Sequence, residues 1–413
     1  MKTMHAAADN MRTDYDVAIV GASLSGSSLA GCLGRAGASV ALIDRSHFPR
    51  RKACGEGLSN IALAALDRMG FEMGPALASG VPYYGYRMAL GGRSFAFASD
   101  RGQVLKGVGV QRSVLDQVVL DGAAACPTVS PFLGTSAAVV RRDGRSCSLE
   151  LSSGGVITAR QLVLADGAHS RNANALGIPV RRSDAPLWGM SFILEGTFRH
   201  ACDEMLVILK DGFEINCTPV GRHRLNVTFL AARPQVKWLQ DALVREQLLA
   251  EAMAHLHFSG QPLGDPLQVG PVSAARRTCV DGSTILLGDA AENLDPVAGM
   301  GMTHGILMAE IAAGCLLPML AGDLSPERAR ACYAKRAAKM SRTYRGFTTL
   351  TRTLVRSRAR GVVLPVLSAT ALPGVVRAAL GDGSPRDAWP RSIPSYFLSL
   401  MGALPDFSTI PLP

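Results

Sequence analysis

The chain has 413 residues and a mass of 43.5 kDa, enough for two or three packed layers of structure. With 48% hydrophobic residues, 18% charged residues and 43 glycines, neither wholesale disorder nor a collagen-like repeat is possible. The nine cysteines form no CxxC pair, which argues against a disulfide framework or a thiolate zinc site and fits a reducing cytoplasm, and the net charge of +10 is concentrated near the C-terminal end.

The N-terminal MKTMHAAADNMRTDY lacks an apolar stretch, so no signal sequence is expected and structure is expected to begin near Asp14. Residues 15–20, YDVAIV, are a β-branched apolar run of the kind that makes a buried parallel strand. The run enters GASLSG (21–26), then a helical pattern to about Arg35, then a strand SVALI (39–43) that ends on Asp44. Strand, glycine turn, helix, strand and acid follow in the order of a dinucleotide-binding unit. Gly21 permits the turn, Gly26 permits close helix packing, and the helix N-terminus faces a pyrophosphate. Asp44 can accept hydrogen bonds from a ribose diol. Ser23 stands where the middle glycine is usual, and a glycine-rich turn opening a doubly wound sheet without a nucleotide is the plain alternative.

Two further strands end on acids. QLVLADG (161–167) places Asp166 and Gly167 at a strand end, and TILLGD (284–289) places Gly288 and Asp289 at another. After the second, Pro296, Gly299 and Gly301 keep side chains clear of a flat ring, and a helix beginning near Met302 directs its positive end at any negative charge there. The apolar stretch 305–322 contains Glu310 and Pro318, which suits a buried helix better than a membrane span.

In this order and at these separations the three motifs resemble the fingerprints of FAD-dependent monooxygenases of the para-hydroxybenzoate hydroxylase fold, over roughly residues 14 to 320. The stretches FPRRKACGEGLSNIALAALDRMG (48–70), GVGVQRSVLDQVVLDGA (107–123) and TPVGRHRLNV (218–227) look like the branch that holds geranylgeranyl reductases, flavin-dependent halogenases and tailoring hydroxylases. The resemblance implies an α/β (α+β) protein with a Rossmann-type FAD-binding domain (14–80, 106–179 and 276–322), an inserted antiparallel-sheet substrate domain (81–105 and 180–275) and a basic helical C-terminal extension (323–413). It implies FAD as cofactor, with Arg112 at the pyrophosphate or ribityl region, Asp166 at the FAD edge, Asp289 on the ribityl chain, and Arg45 among the cofactor contacts. No second glycine-rich unit is present, so NADH or NADPH is expected as a transient reductant, or a separate reductase supplies the electrons.

Hydroxylation of an aromatic or polyketide-like substrate through a flavin C4a-hydroperoxide is the favoured expectation, with double-bond reduction of the geranylgeranyl reductase type as the alternative. Halogenation is disfavoured because GFEINCTPVG (212–221) has no tryptophan and the nearest equivalent of a halogenase lysine is Arg87. A non-catalytic flavin-binding protein would have the same fold. Candidates near the reacting end are Cys54 in CGEGL, Arg87, and His304 as a proton donor; His169 and His223 are dispersed. Tyr84, Trp188, Phe213 and Asn216 are candidate pocket residues, and no cluster argues for a metal.

From Arg328 to Arg360 there are eleven basic residues and no acidic one, with apolar residues interleaved at helical spacing. The plain reading is a solvated helical face. The sharper one is a docking surface for an acidic carrier protein or protein substrate, or for an anionic membrane, involving Arg352, Arg356 and Arg358; no nucleic-acid motif is present. The proline- and leucine-rich tail after Val363 is expected to pack over the substrate side.

Overall fold

The computed structural model describes residues 14–97, 104–183, 185–232, 239–357, 359–362 and 364. Its helices are α1 (Leu24–Arg35), α2 (Asn60–Arg68), α3 (Gly74–Ser79), α4 (Arg112–Ala124), α5 (Arg171–Ala175), α6 (Ala242–His255), α7 (Gly301–Leu320) and α8 (Pro326–Arg356). Arg358 and the tail beyond Leu364 lie outside the described residues.

The first sheet is built on apolar runs buried on both faces, as parallel strands must be when helices cover them. Its order is Val280–Asp281, Thr284–Leu286, Val156–Leu164, Tyr15–Val20, Val40–Asp44 and Val129–Leu133, with the antiparallel pair Ala137–Arg142 and Cys147–Leu151 added on Val156–Leu164. Four of these strands run parallel to Tyr15–Val20 or to its neighbours. The three sequence motifs therefore leave one edge of one sheet, at the carboxyl ends of adjacent strands, where ligands of open α/β sheets bind.

The second sheet carries Leu187–Phe198, Glu204–Lys210, Phe213–Gly221 and Arg224–Ala232 with flanking strands. It is antiparallel as expected except at one junction, where Gly85–Leu90 runs parallel to Glu204–Lys210. That junction joins residues from two separate stretches of chain. Alternation gives the sheet two faces. Phe213, Ile215, Cys217, Val227, Phe229, Met190 and Phe192 pack beneath α6 residues Leu248, Leu249 and Ala252 in a core of their own, while the opposite face looks toward the first sheet.

α7 is long and apolar enough to cross a membrane by length and composition. It lies in the core instead, against α1, α2 and α8, and Glu310 is held by Arg68 of α2 at 2.6 Å. Most of the basic segment lies on one long helix, α8, which ends at Arg356. On α8 the buried residues Ala329, Tyr333, Ala337, Met340, Tyr344 and Phe347 recur at helical spacing, and the Tyr333 hydroxyl donates to the Leu286 carbonyl at 2.7 Å. The helix is thus fastened beside the third motif. Part of its charge is spent internally, because Arg345 pairs with Glu292, Arg352 with Asp295, and Arg360 with Asp211.

Candidate active site

The glycine turn is closed by backbone contacts that leave no room for side chains. Gly21 has φ +111°, and a Cβ there would lie 2.3 Å from the Ala165 carbonyl oxygen; a Cβ at Gly26 would lie 1.8 Å from the Gly21 carbonyl oxygen. Ser25 has a related role, since its Oγ would meet a Cβ on Gly288 at 2.6 Å and one on Gly305 at 2.3 Å. Small residues at 25, 288 and 305 let α1, the third motif and α7 meet. Neither Ser25 nor Gly305 stands out in the sequence.

Ser23 does not cap its own helix. Its Oγ donates to Asp116 Oδ2 at 3.0 Å and accepts from Arg112 Nη2 at 3.1 Å. Arg112 in turn donates from Nε and Nη2 to the two oxygens of Asp116 at 2.8 and 2.9 Å, in a pair almost wholly buried. The serine in place of the middle glycine thus joins the N-termini of α1 and α4. Those two helices and α7 begin without a side-chain cap or an acid in the first turn, whereas α2, α5, α6 and α8 are capped by Ser59, Ser170, Asp241 and Ser325. The uncapped ends leave N–H groups and positive dipole ends for an anion.

Asp44 is 9% exposed and accepts from the backbone N–H groups of Ala22 and Ser46, both at 2.8 Å, which fixes its carboxylate at the end of its strand. Arg45 beside it is exposed. Asp166 is largely buried, and its Oδ1 has no hydrogen-bond partner among the described residues; burial raises its pKa. Gly167 follows at φ +85°. Asp289 is half-buried. Beyond it Asp295 caps the turn Pro296–Ala298, and a Cβ at Gly299 or Gly301 would meet nothing within 4 Å, so the approach to Met302 and the start of α7 is open.

The segment 52–56 closes the site from the side. Lys52 has no ion-pair partner within 4 Å among the described residues; the nearby Arg112 charge and then burial lower its pKa, against Asp289 and Asp116. The Cys54 thiol lies beside Arg112, and its carbonyl accepts from Ser191 Oγ at 3.3 Å and Thr228 Oγ1 at 3.0 Å. Glu56 sits at φ +58° and 6% exposure. Its Oε1 accepts from the Arg112 N–H at 3.4 Å while its buried Oε2 has no partner among the described residues. Burial pushes this carboxyl up to about 7, opposed by the Arg112 N–H and by the charges of Arg112 and Arg51. Lys52, Glu56 and Asp116 were not singled out in the sequence, although Asp116 stands at the helical i+4 spacing from Arg112 that favours a pair.

These residues fit FAD. Its pyrophosphate requires cations and free N–H groups, which Arg112, Lys52 and the helix ends provide, and its hydroxyls require acceptors such as Asp44, Asp166 Oδ1 and Glu56 Oε2.

Above this site, the inner face of the second sheet is polar. Asn226 Nδ2 donates to Ser191 Oγ at 2.9 Å and Thr228 Oγ1 lies 3.0 Å from the same oxygen, while Glu214, Asn216 and Thr218 alternate along Phe213–Gly221. The Cys54 contacts place this face over the 52–56 segment. Of the expected pocket residues, Asn216 is on it. Trp188 is cross-strand from Ala231 and shares the other face with Met190 and Phe192, and Phe213 belongs to the core under α6. Tyr84 is half-buried after Val81–Tyr83.

Two candidates for the reacting end are corrected by their surroundings. His304 is 1% exposed, its Nε2 is 2.8 Å from Ser341 Oγ of α8, and its ring meets Tyr344 edge-on. Burial and then the Arg345 charge lower its pKa to about 3, so it is a neutral packing group rather than a proton donor. Arg87 is exposed and pairs with Glu204 at 2.6 Å on the outside of the sheet. His169 and His223 are exposed.

The "FAD binding domain" family model matches residues 14–362. The chain is 29% identical over 324 residues to menaquinone reductase of Mycobacterium tuberculosis, covering 73% of this chain and 76% of that protein. It is 30% identical over 309 residues to ubiquinone hydroxylase of Rhodospirillum rubrum, covering 70% of each. Among solved structures, p-nitrophenol 4-monooxygenase from Pseudomonas putida superimposes with a TM-score of 0.75 at 18% identity, over 93% of this chain and all of that one, which shows a shared fold. The chain belongs to the FAD binding domain family and has the para-hydroxybenzoate hydroxylase fold. It is an FAD-dependent oxidoreductase, and NAD(P)H is the reductant typical of its family.

Proposed function

We propose that this enzyme is a monooxygenase that hydroxylates an oxygen-bearing aromatic or polyketide-like ring. The observation that carries the reading is the polar face over the cofactor site, formed by the buried Ser191, Glu214, Thr218 and Asn226 with the half-buried Asn216 and Thr228. Most of these groups bond to one another or to the Cys54 carbonyl, but the buried Thr218 Oγ1 has no partner among the described residues; a plain polyene chain, which offers no hydrogen bonds, would leave it unsatisfied at ~1–3 kcal/mol. A ring with carbonyl or hydroxyl oxygens satisfies it. Two relatives, a menaquinone reductase and a ubiquinone hydroxylase, are named for quinones, which are rings of this kind.

Reduced FAD supplies the chemistry that activates oxygen. The chain's own part is to bind and orient. Gly21, Ser23, Gly26, Asp44, Arg45 and Arg112 hold the nucleotide half, while Asp166, Gly167, Gly288, Asp289, Pro296, Gly299, Gly301 and Met302 hold the ribityl chain and ring. The free N–H groups of α7 stabilise negative charge on that ring. Residues 14–80, 106–179 and 276–322 form the cofactor domain, 81–105 and 180–275 the substrate domain, and the reaction takes place in the cytoplasm. Anaerobic reduction by NADH and NADPH followed by rapid mixing with oxygen tests the reading. A transient absorbing species before reoxidation is expected; monotonic reoxidation, with saturation of a substrate double bond, moves the assignment to a double-bond reductase.

A second feature concerns how the substrate is presented. Arg328, Lys335, Lys339 and Arg342 are exposed along one stripe of α8 and make no ion pair among the described residues. We propose this stripe, rather than the internally paired Arg352, as the docking surface for an anionic partner, either a membrane face or an acidic carrier or protein that bears the substrate. Sedimentation with anionic phosphatidylglycerol vesicles and with acidic carrier protein measures it. Binding is expected to vanish in about 1 M salt, where the Debye length is ~3 Å, and on reversing Lys335, Lys339 and Arg342 to glutamate. Binding that withstands both changes contradicts it.

A further inference from the structure

Glu214 is a carboxyl group that neither sheet pairing nor the cofactor site employs. It is 4% exposed and stands cross-strand from Leu209 on one side and Leu230 on the other, so no sheet neighbour satisfies it. Its Oε1 accepts from Asn216 Nδ2 at 3.2 Å, and no cation lies within ion-pair distance among the described residues. The charged groups acting on it come from two other elements: Asp295 in the loop before Gly299, itself 3.6 Å from Arg352, and Arg356 in the last turn of α8. Two residues further along the same face is Asn216, and two beyond that Thr218, whose buried Oγ1 also lacks a partner among the described residues. At ~3.4 Å per residue the three side chains form a rail about 14 Å long.

Ionising a buried acid without a cation is costly. Burial pushes Glu214 up to about 7, with Asn216 and Arg356 pulling it down and Asp295 pushing it further up. In its neutral form it has an O–H to donate, and nothing among the described residues accepts it.

We infer that Glu214 donates a hydrogen bond to a carbonyl oxygen of the substrate, which makes neutral ring ketones and quinones the substrate class of this enzyme. The inference rests on the polar face being the substrate site, as proposed above, but not on which reaction the flavin performs. Glu214 is in this sense a specificity-determining residue. An amine substrate would have the opposite demand, since it binds the ionised carboxylate and gains affinity as pH rises.

Binding to the oxidised holoenzyme, read from perturbation of the flavin absorbance, tests this with two probes that do not titrate. 1-Tetralone carries the carbonyl, and tetralin is the hydrocarbon without it. At about pH 6 tetralone is expected to bind roughly tenfold more tightly than tetralin, and by about pH 8.5, with Glu214 ionised, most of that advantage is lost. Glu214→Gln, whose amide donates at every pH, is expected to keep the preference throughout. Glu214→Leu removes it throughout, and unchanged flavin content in both variants shows that the fold is intact. No preference for tetralone at about pH 6, failure of both probes to bind, or a preference equally pH-dependent in Glu214→Gln overturns the inference. A holoenzyme that shows the ketone preference but no transient species with oxygen would overturn the hydroxylase reading alone, and the reverse result would overturn only the role of Glu214.

Discussion

Gly26→Ala is expected to give a protein that neither retains FAD nor folds stably. A Cβ at this position would lie 1.8 Å from the Gly21 carbonyl oxygen and 3.0 Å from the Gly21 carbonyl carbon. Both are backbone atoms, so no rotamer change relieves the clash. Gly21 cannot retreat either, because it is held at φ +111° between its N–H bond to the Ile43 carbonyl at 2.7 Å and the Ala165 carbonyl. The helix must therefore lift from the sheet and open the phosphate turn. Overpacking costs ~1–3 kcal/mol where side chains can yield, and here only backbone can. The expected loss exceeds that range and approaches the ~5–15 kcal/mol total stability of a domain. Thermal unfolding and the flavin absorbance of the purified protein measure it. A yellow protein with an unchanged melting temperature would show that the turn is not packed in this way.

Arg112→Met is expected to cost ~3–5 kcal/mol of stability, since it leaves Asp116, whose side chain is fully buried, without its counter-charge. The partners also lose alignment, because Ser23 Oγ is bonded to both members of the pair. The informative comparison is the double variant Arg112→Met/Asp116→Leu. Replacing a whole buried pair by apolar residues is often neutral for stability, so the melting temperature is expected to recover. FAD affinity is not expected to recover, because the guanidinium that faces the phosphate turn is gone; a fall of at least about tenfold, or 1.4 kcal/mol, should remain. Recovery of both would make Arg112 a structural residue only.

The cofactor side of the molecule was readable in the sequence because its constraints are local. A buried parallel strand is a continuous apolar run, and each of the three motifs sits where such a run stops, so YDVAIV, QLVLADG and TILLGD announce the strand ends that the sheet brings side by side. The pairing of Asp116 with Arg112 and Ser23 was not announced, since it depends on α4 crossing to the N-terminus of α1, 89 residues away. The substrate side was harder for a different reason. In a half-covered sheet the faces alternate, and alternation assigns the large residue Phe213 to the core under α6 and puts Trp188, cross-strand from Ala231, on that same face. The signal lay in the polar members of the same strands, where Glu214, Asn216 and Thr218 interrupt an apolar series. His304 misled because proximity in sequence to the third motif does not fix direction; on α7 it faces α8, where Ser341 receives it. Likewise the charge of the basic segment counts arginines that acids on other elements already hold, so among the described residues the exposed cations of α8 without an ion pair are Arg328, Lys335, Lys339, Arg342 and Arg356.

The hydroxylase assignment is tested most directly by turnover of a phenolic or quinone ring under isotopically heavy oxygen gas with NADH or NADPH, followed by mass analysis of the product. The expected product carries one heavy oxygen atom on the ring and forms only when flavin, reductant and oxygen are all present. A product that gains two hydrogens and no heavy oxygen would contradict the assignment and identify a reductase.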